Sequence, residues 1–176
     1  MQQDAIKKIV IAGGGTAGWM SAAALGKLFG KNIDVTLVES DAIPTVGVGE
    51  ATIPTLHLFH DLLKVKESEF MAATNATFKL GIKFDDWYQK PQSYIHSFGR
   101  FNHGCWAAGF QHFWLRGRQL DIASEIGDYC PEHLACRMGK FAIAPKQERN
   151  HAFHLDAGLY AKFLRNIAQQ CGVQRI

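Results

Sequence analysis

The sequence predicts an α/β fold that opens with a parallel βαβ unit, and three features of the first forty residues predict it. Lys8–Ala12 is a short β-branched apolar run, Thr16–Phe29 is a helical stretch rich in alanine and leucine, and residues 33–38 form a second apolar run ending at Glu39. Short apolar runs of this kind are what buried parallel strands show. A helix joining two such strands makes a crossover that is right-handed by the general rule.

The turn between the first strand and the helix carries the first chemical signal. Gly13-Gly14-Gly15-Thr16-Ala17-Gly18 satisfies G-x-G-x-x-G. In that pattern Gly13 permits a tight turn, Gly15 lets the backbone approach a pyrophosphate, and Gly18 lets the helix pack closely on the strand. The helix N-terminus then presents backbone N–H groups and a partial positive charge to phosphate oxygens. Glu39 ends the next strand about 20 residues on, placed to accept hydrogen bonds from an adenosine ribose. The combination predicts a dinucleotide site, and it does not by itself distinguish FAD from NAD.

The helix is expected to close at Gly30, which suits a left-handed C-terminal position. Residues 41–54, with two prolines and two glycines, read as a loop. Residues 55–63 read as a helix with Leu56, Phe59, Leu62 and Leu63 on its apolar face, and residues 67–71 as a shorter one. From Thr77 to Phe84 apolar Phe78, Leu80, Ile82 and Phe84 alternate with Thr77, Lys79, Gly81 and Lys83, which predicts one period-two strand with both lysines on its solvated face. Residues 87–117 read as irregular and aromatic-rich, with Trp106, Phe110, Phe113 and Trp114 as core. Residues 124–139 are helical in part. Asp156 is expected to cap a last helix whose buried stripe is Leu159, Phe163, Leu164 and Ile167. Residues 173–176 begin a further strand.

Composition removes several function classes. The 19 Lys and Arg against 16 Asp and Glu are scattered, leaving neither a nucleic-acid stripe nor a membrane-surface helix. Cys105, Cys130, Cys136 and Cys171 form no C-x-x-C pair, which suits reduced thiols in a cytoplasmic protein. Lys7-Lys8 followed by an uncharged stretch resembles a signal peptide superficially, but three glycines interrupt what should be an unbroken apolar helix. Cys130-x-x-His133-x-x-Cys136, with His151 and His154, has metal-ligand chemistry at a spacing that matches no structural zinc pattern, so no metal is predicted. A sheet holding only its first parallel strands would leave apolar edges bare. The chain therefore reads as the N-terminal part, residues 1–176, of a single domain truncated at its C-terminal end.

A second glycine loop, Thr45-Val46-Gly47-Val48-Gly49-Glu50-Ala51-Thr52-Ile53-Pro54, carries no mechanism in its spacing. Together with Gly13 to Met20, however, it closely resembles the flavin-dependent tryptophan halogenases. The resemblance continues through Asn75-Ala76-Thr77-Phe78-Lys79-Leu80-Gly81-Ile82-Lys83-Phe84, Tyr94-Ile95-His96-Ser97-Phe98-Gly99, Phe113-Trp114-Leu115-Arg116 and His151-Ala152-Phe153-His154-Leu155-Asp156-Ala157. It implies a Rossmann-like FAD-binding fold of the flavin monooxygenase type, incomplete in this chain. It also implies that reduced FAD from a separate flavin reductase, with O2 and halide, yields hypohalous acid that halogenates tryptophan or another indole-like aromatic. By the same resemblance Lys79 handles the halogen, and His96 and Phe98 stack on the substrate ring. Val48, Glu50 and Ala51 would contact the flavin beside Gly13, Gly14, Gly15, Thr16, Ala17, Gly18 and Glu39. A homodimer is compatible with it. The family's paired-tryptophan motif and substrate-side glutamate are not in this sequence, so this stretch alone is expected to be inactive. An FAD monooxygenase without halogenation and a non-catalytic flavin-binding module are the alternatives.

Overall fold

The computed structural model describes residues 5–43, 49–101, 104–142 and 150–176. In chain order the elements are β1 (Lys8–Ala12), α1 (Thr16–Phe29), β2 (Asp34–Val38), β3 (Gly49–Ala51), α2 (Leu56–Leu63), α3 (Glu67–Thr74), β4 (Thr77–Lys79), β5 (Gly81–Asp85), β6 (Ser93–Ser97), α4 (Phe110–Gln119), α5 (Pro131–Arg137), β7 (Ala152–Asp156), α6 (Ala157–Gln170) and β8 (Gln174–Arg175). They form two compact units: Met1–Thr77 with Phe153–Ile176, and Phe78–Ala152. Among the described residues no helix is long and apolar enough to cross a membrane.

The first unit contains the predicted βαβ unit. β1 runs parallel to β2 from the Lys8–Asp34 pair to the Ala12–Val38 pair, and β2 is flanked on its other side by parallel β8. α1 starts and stops where the sequence places it, closing at Gly30 with φ +52° and its N–H on the Gly26 carbonyl. One expectation fails here. β1 is not buried: Val10 is 68% exposed, because among the described residues β1 is an outer strand with β2 as its one ladder neighbour.

Helix packing depends on small residues. Ala22, Ala23 and Gly26 of α1 are buried, and a methyl group at Gly26 would stand 2.9 Å from Val173 and 3.0 Å from Cys171. α6 accordingly buries Ala157, Tyr160, Ala161, Leu164 and Ala168, whereas Leu159, Phe163 and Ile167 are only half-buried. Of the predicted stripe only Leu164 is fully buried; Tyr160 and three alanines take the other inward positions, the alanines letting the axes approach. Asp156 does cap α6, its Oδ1 accepting from the Leu159 N–H at 2.8 Å.

α2 departs from its predicted face for a different reason. His57 and His60 are buried beside Leu56 and Leu63, while Leu62 is exposed. His60 Nε2 shares a 2.9 Å hydrogen bond with the Tyr160 hydroxyl, and its ring packs edge-on against Phe70 at 4.5 Å. Phe70, fully buried, also meets Phe153 and Tyr160 edge to face. Satisfied imidazoles are stable inside, but a hydropathy pattern scores them as polar.

β3 lies inside the predicted loop of residues 41–54, and β7 directly precedes α6. β3 pairs antiparallel with β7, Glu50 opposite Leu155, and Thr52 extends the ladder by donating its N–H to the Phe153 carbonyl at 2.8 Å.

In the second unit the single alternating strand becomes two, β4 and β5, interrupted at Leu80. β5 pairs antiparallel with β6, a strand inside the stretch read as irregular, and Phe98 donates its N–H to the Leu80 carbonyl at 2.8 Å. α4 also begins inside that stretch. The aromatic cluster read as core is largely outside: Trp106 is 99% exposed at the tip of a turn closed by reciprocal hydrogen bonds between Cys105 and Ala108, and Phe113 is also exposed. Trp114 instead donates its indole N–H to the Ser124 carbonyl at 2.9 Å. α5 packs on β5 and β6.

Candidate functional site

In the glycine loop, backbone angle and close packing account for Gly13 and Gly18. Gly13 has φ +111°, a backbone that L side chains avoid, and donates its N–H to the Val38 carbonyl at 2.9 Å. A methyl group at Gly18 would overlap the Gly13 carbonyl. At Gly15 nothing lies within 4 Å of where a Cβ would stand. That open space adjoins the N-terminus of α1, a 14-residue helix with no acidic residue in its first turn and no side-chain cap. The Thr16 hydroxyl there is buried without a hydrogen-bond partner among the described residues. Ala17 is exposed on the first turn, its carbonyl accepting from Ser21. An uncapped positive helix end, an approachable backbone and an unsatisfied donor together fit the diphosphate of a dinucleotide.

Glu39 lies beside the loop but is not a free acceptor. Its Oε1 takes a 2.5 Å hydrogen bond from Arg175 Nε and stands 3.7 Å from Arg165. Its Oε2 is 3.4 Å from the Trp19 indole nitrogen and fills the space a side chain at Gly14 would need. Sequence reasoning missed Trp19, Arg165 and Arg175. The one available signal is Gly14 itself, a glycine at a position where G-x-G-x-x-G asks for none.

Of the second loop's predicted contacts, Glu50 and Ala51 lie exposed on β3, and Val48 lies outside the described residues. These and the glycine loop belong to the first unit; Lys79, His96 and Phe98 belong to the second.

Lys79 is 8% exposed, and its Nζ stands 5.3 Å from the centroid of the Phe98 ring. It therefore does not share a solvated face with Lys83, which is exposed and paired with Asp85 at 2.8 Å. Burial lowers the Lys79 ammonium's pKa below its ordinary 10.5, because removing water disfavours the charged form. The ring's negative face works in the opposite sense by attracting the cation.

His96 and Phe98 alternate with Ser97 along β6 and its extension. His96 is exposed opposite Ile82, and Phe98 is half-buried against Lys79. Ser97 is engaged by Cys130, fully buried, at 3.3 Å. Cys130 also lies 3.6 Å from Glu132 Oε2, and Glu132 Oε1 accepts from Asn150 at 3.0 Å. The Glu132 carboxylate sits where a side chain at Gly99 would be, which accounts for that glycine. The strand carrying His96 and Phe98 is thus tied from behind, and a cation is held in front.

The family model for tryptophan halogenase matches residues 8–176. Tryptophan 6-halogenase SttH of Streptomyces toxytricini is 35% identical, over 96% of this chain and 37% of that protein. Tryptophan 7-halogenase RebH of Lentzea aerocolonigenes is 36% identical, over 97% of this chain and 36% of that protein. A solved flavin-dependent halogenase from Xanthomonas campestris matches with a TM-score of 0.91 and 57% identity, over 97% of this chain and 35% of that one. The chain spans roughly a third of the length of these relatives. Sequence match, shared α/β fold and glycine loop agree: the chain belongs to the tryptophan halogenase family.

Proposed function

We propose that the intact protein is an FAD-dependent halogenase of tryptophan or another indole-like aromatic, with Lys79 handling the halogen. FAD, delivered reduced by a separate flavin reductase, would supply hypohalous acid from O2 and halide. The chain's own residues account for the remainder. Gly13, Gly15, Thr16 and Gly18 form the diphosphate cradle, and Glu39 accepts from the adenosine ribose. Glu50 and Ala51 offer a backbone strap to the flavin.

The observation that carries the reading is the environment of Lys79, buried and facing an aromatic ring. An ammonium in that setting donates a hydrogen bond from Nζ to the oxygen of hypohalous acid, and the same nitrogen, once deprotonated, can take the halogen as the oxygen–halogen bond breaks and hydroxide leaves as water with an amine proton. A lowered pKa favours the deprotonated form. His96 and Phe98 present flat faces suited to an indole, leaving a ring edge free to react.

The test uses the intact protein with FAD, a reductase, halide and an indole substrate. The wild type gives a halogenated mass and Lys79→Ala gives none, while Lys83→Ala retains activity. Normal turnover by Lys79→Ala removes Lys79 from the reaction. An oxygenated product without halogen would make the protein a monooxygenase.

A further inference from the structure

We propose that Arg175 is a positioning residue for the nucleotide site: it holds one oxygen of the Glu39 carboxylate so that the other faces the glycine loop. The inference rests on reading Gly13 to Gly18 and Glu39 as an FAD site, and it adds a residue to that site.

The geometry divides the carboxylate in two. Oε1 turns toward β8, where Arg175 Nε donates at 2.5 Å and Arg165 stands 3.7 Å away. Oε2 turns the other way, over Gly14 and within 3.4 Å of the Trp19 indole. Arg175 is itself fixed. Its second guanidinium nitrogen binds Asp41, and the backbone beside it is stitched to β2 by Ile176 N–H to Leu37 O and Glu39 N–H to Ile176 O, both 2.9 Å. Both acids hold its guanidinium in the charged form.

Two physical consequences follow for a bound adenosine. A glutamate has three rotatable side-chain bonds, and ordering it on binding costs affinity. Arg175 and Trp19 impose that order in advance. Secondly, a bare carboxylate beside a diphosphate repels it, whereas a carboxylate facing two guanidinium groups adds little net negative charge. The ribose hydroxyl then meets an oriented acceptor without an electrostatic penalty on the neighbouring phosphates.

The test is fluorescence titration of the intact protein with FAD and with an FAD analogue lacking the 2′-hydroxyl of the adenosine ribose. Wild type should prefer FAD, and Arg175→Gln should weaken FAD by about tenfold, the scale of a hydrogen bond to a charged group. Binding of the analogue should weaken less than that of FAD, by the diphosphate repulsion alone, so that discrimination falls; Arg175→Lys should restore part of it. Discrimination retained in Arg175→Gln overturns the proposal. Equal loss of both ligands also overturns it, because a merely structural arginine would give that result. If wild type binds neither flavin, the FAD reading itself fails, an outcome separate from either.

Discussion

Lys79 Nζ lies 5.3 Å from the centre of the Phe98 ring, with the lysine almost wholly removed from solvent. Burial and ring act in opposite directions on the ammonium. Phe98→Leu keeps the apolar cover and removes the quadrupole, so the Lys79 pKa, already below 10.5, should fall further. The lost attraction between the ammonium and the ring face is the cause of that fall. Titration of isotopically labelled lysine by NMR reads this directly, and a rise would mean the ring acts on Lys79 chiefly by excluding water.

Gly99 and Glu132 form a steric pair behind β6. Gly99→Ala should destabilise the protein by roughly 1–3 kcal/mol, as overpacking does. Glu132→Ala removes the obstructing carboxylate, so the double variant should cost less than the sum of the two. Urea unfolding of all four proteins measures the coupling; strict additivity would break the pair.

Burial pushes the Tyr160 hydroxyl well above its ordinary 10.0, and the charge of Glu50 adds to the shift. A raised folded pKa means the stabilisation is complete below pH 10.0 and is lost as pH climbs toward the folded value. Unfolding free energy should therefore fall above about pH 10. Tyr160→Phe should flatten that fall, at a cost of about 1 kcal/mol near neutrality for the lost His60 hydrogen bond. Denaturant melts between pH ~8 and ~11 compare the two slopes.

Asp156 satisfies the Leu159 N–H at the start of α6. Asp156→Ala should cost about 1 kcal/mol and Asp156→Asn only a small part of that, since asparagine caps nearly as well. Thermal denaturation separates the two. Equal losses would assign the effect to charge.

The βαβ unit was legible because local chemistry specifies it: a β-branched run, glycines demanded by backbone angle and close packing, and a helix ended by Gly30. In the candidate site, the geometry of the glycine turn was legible because the pattern itself demands it at Gly13 and Gly18. What escaped depends on partners far away in sequence. His57 and His60 are buried because Tyr160, Phe70 and Phe153 receive them. Lys79 is turned inward because the strand breaks at Leu80 and Phe98 closes over it. β6 was hidden by its Ser and His, and Trp106 was misplaced because aromatic content suggests core wherever it occurs. Arg175 could not be assigned from its own neighbourhood, since only folding brings it to Glu39.

That last separation has a temporal side. The Glu39–Arg175 bond spans 136 positions. While the chain is being made, the glycine turn, α1 and β2 can assemble early from local contacts. The carboxylate beside Gly14 then stays unclamped until residues 174–176 have emerged and joined β2. Long loops close slowly and late. In a nascent chain the glycine turn would therefore form before the Glu39 carboxylate is clamped.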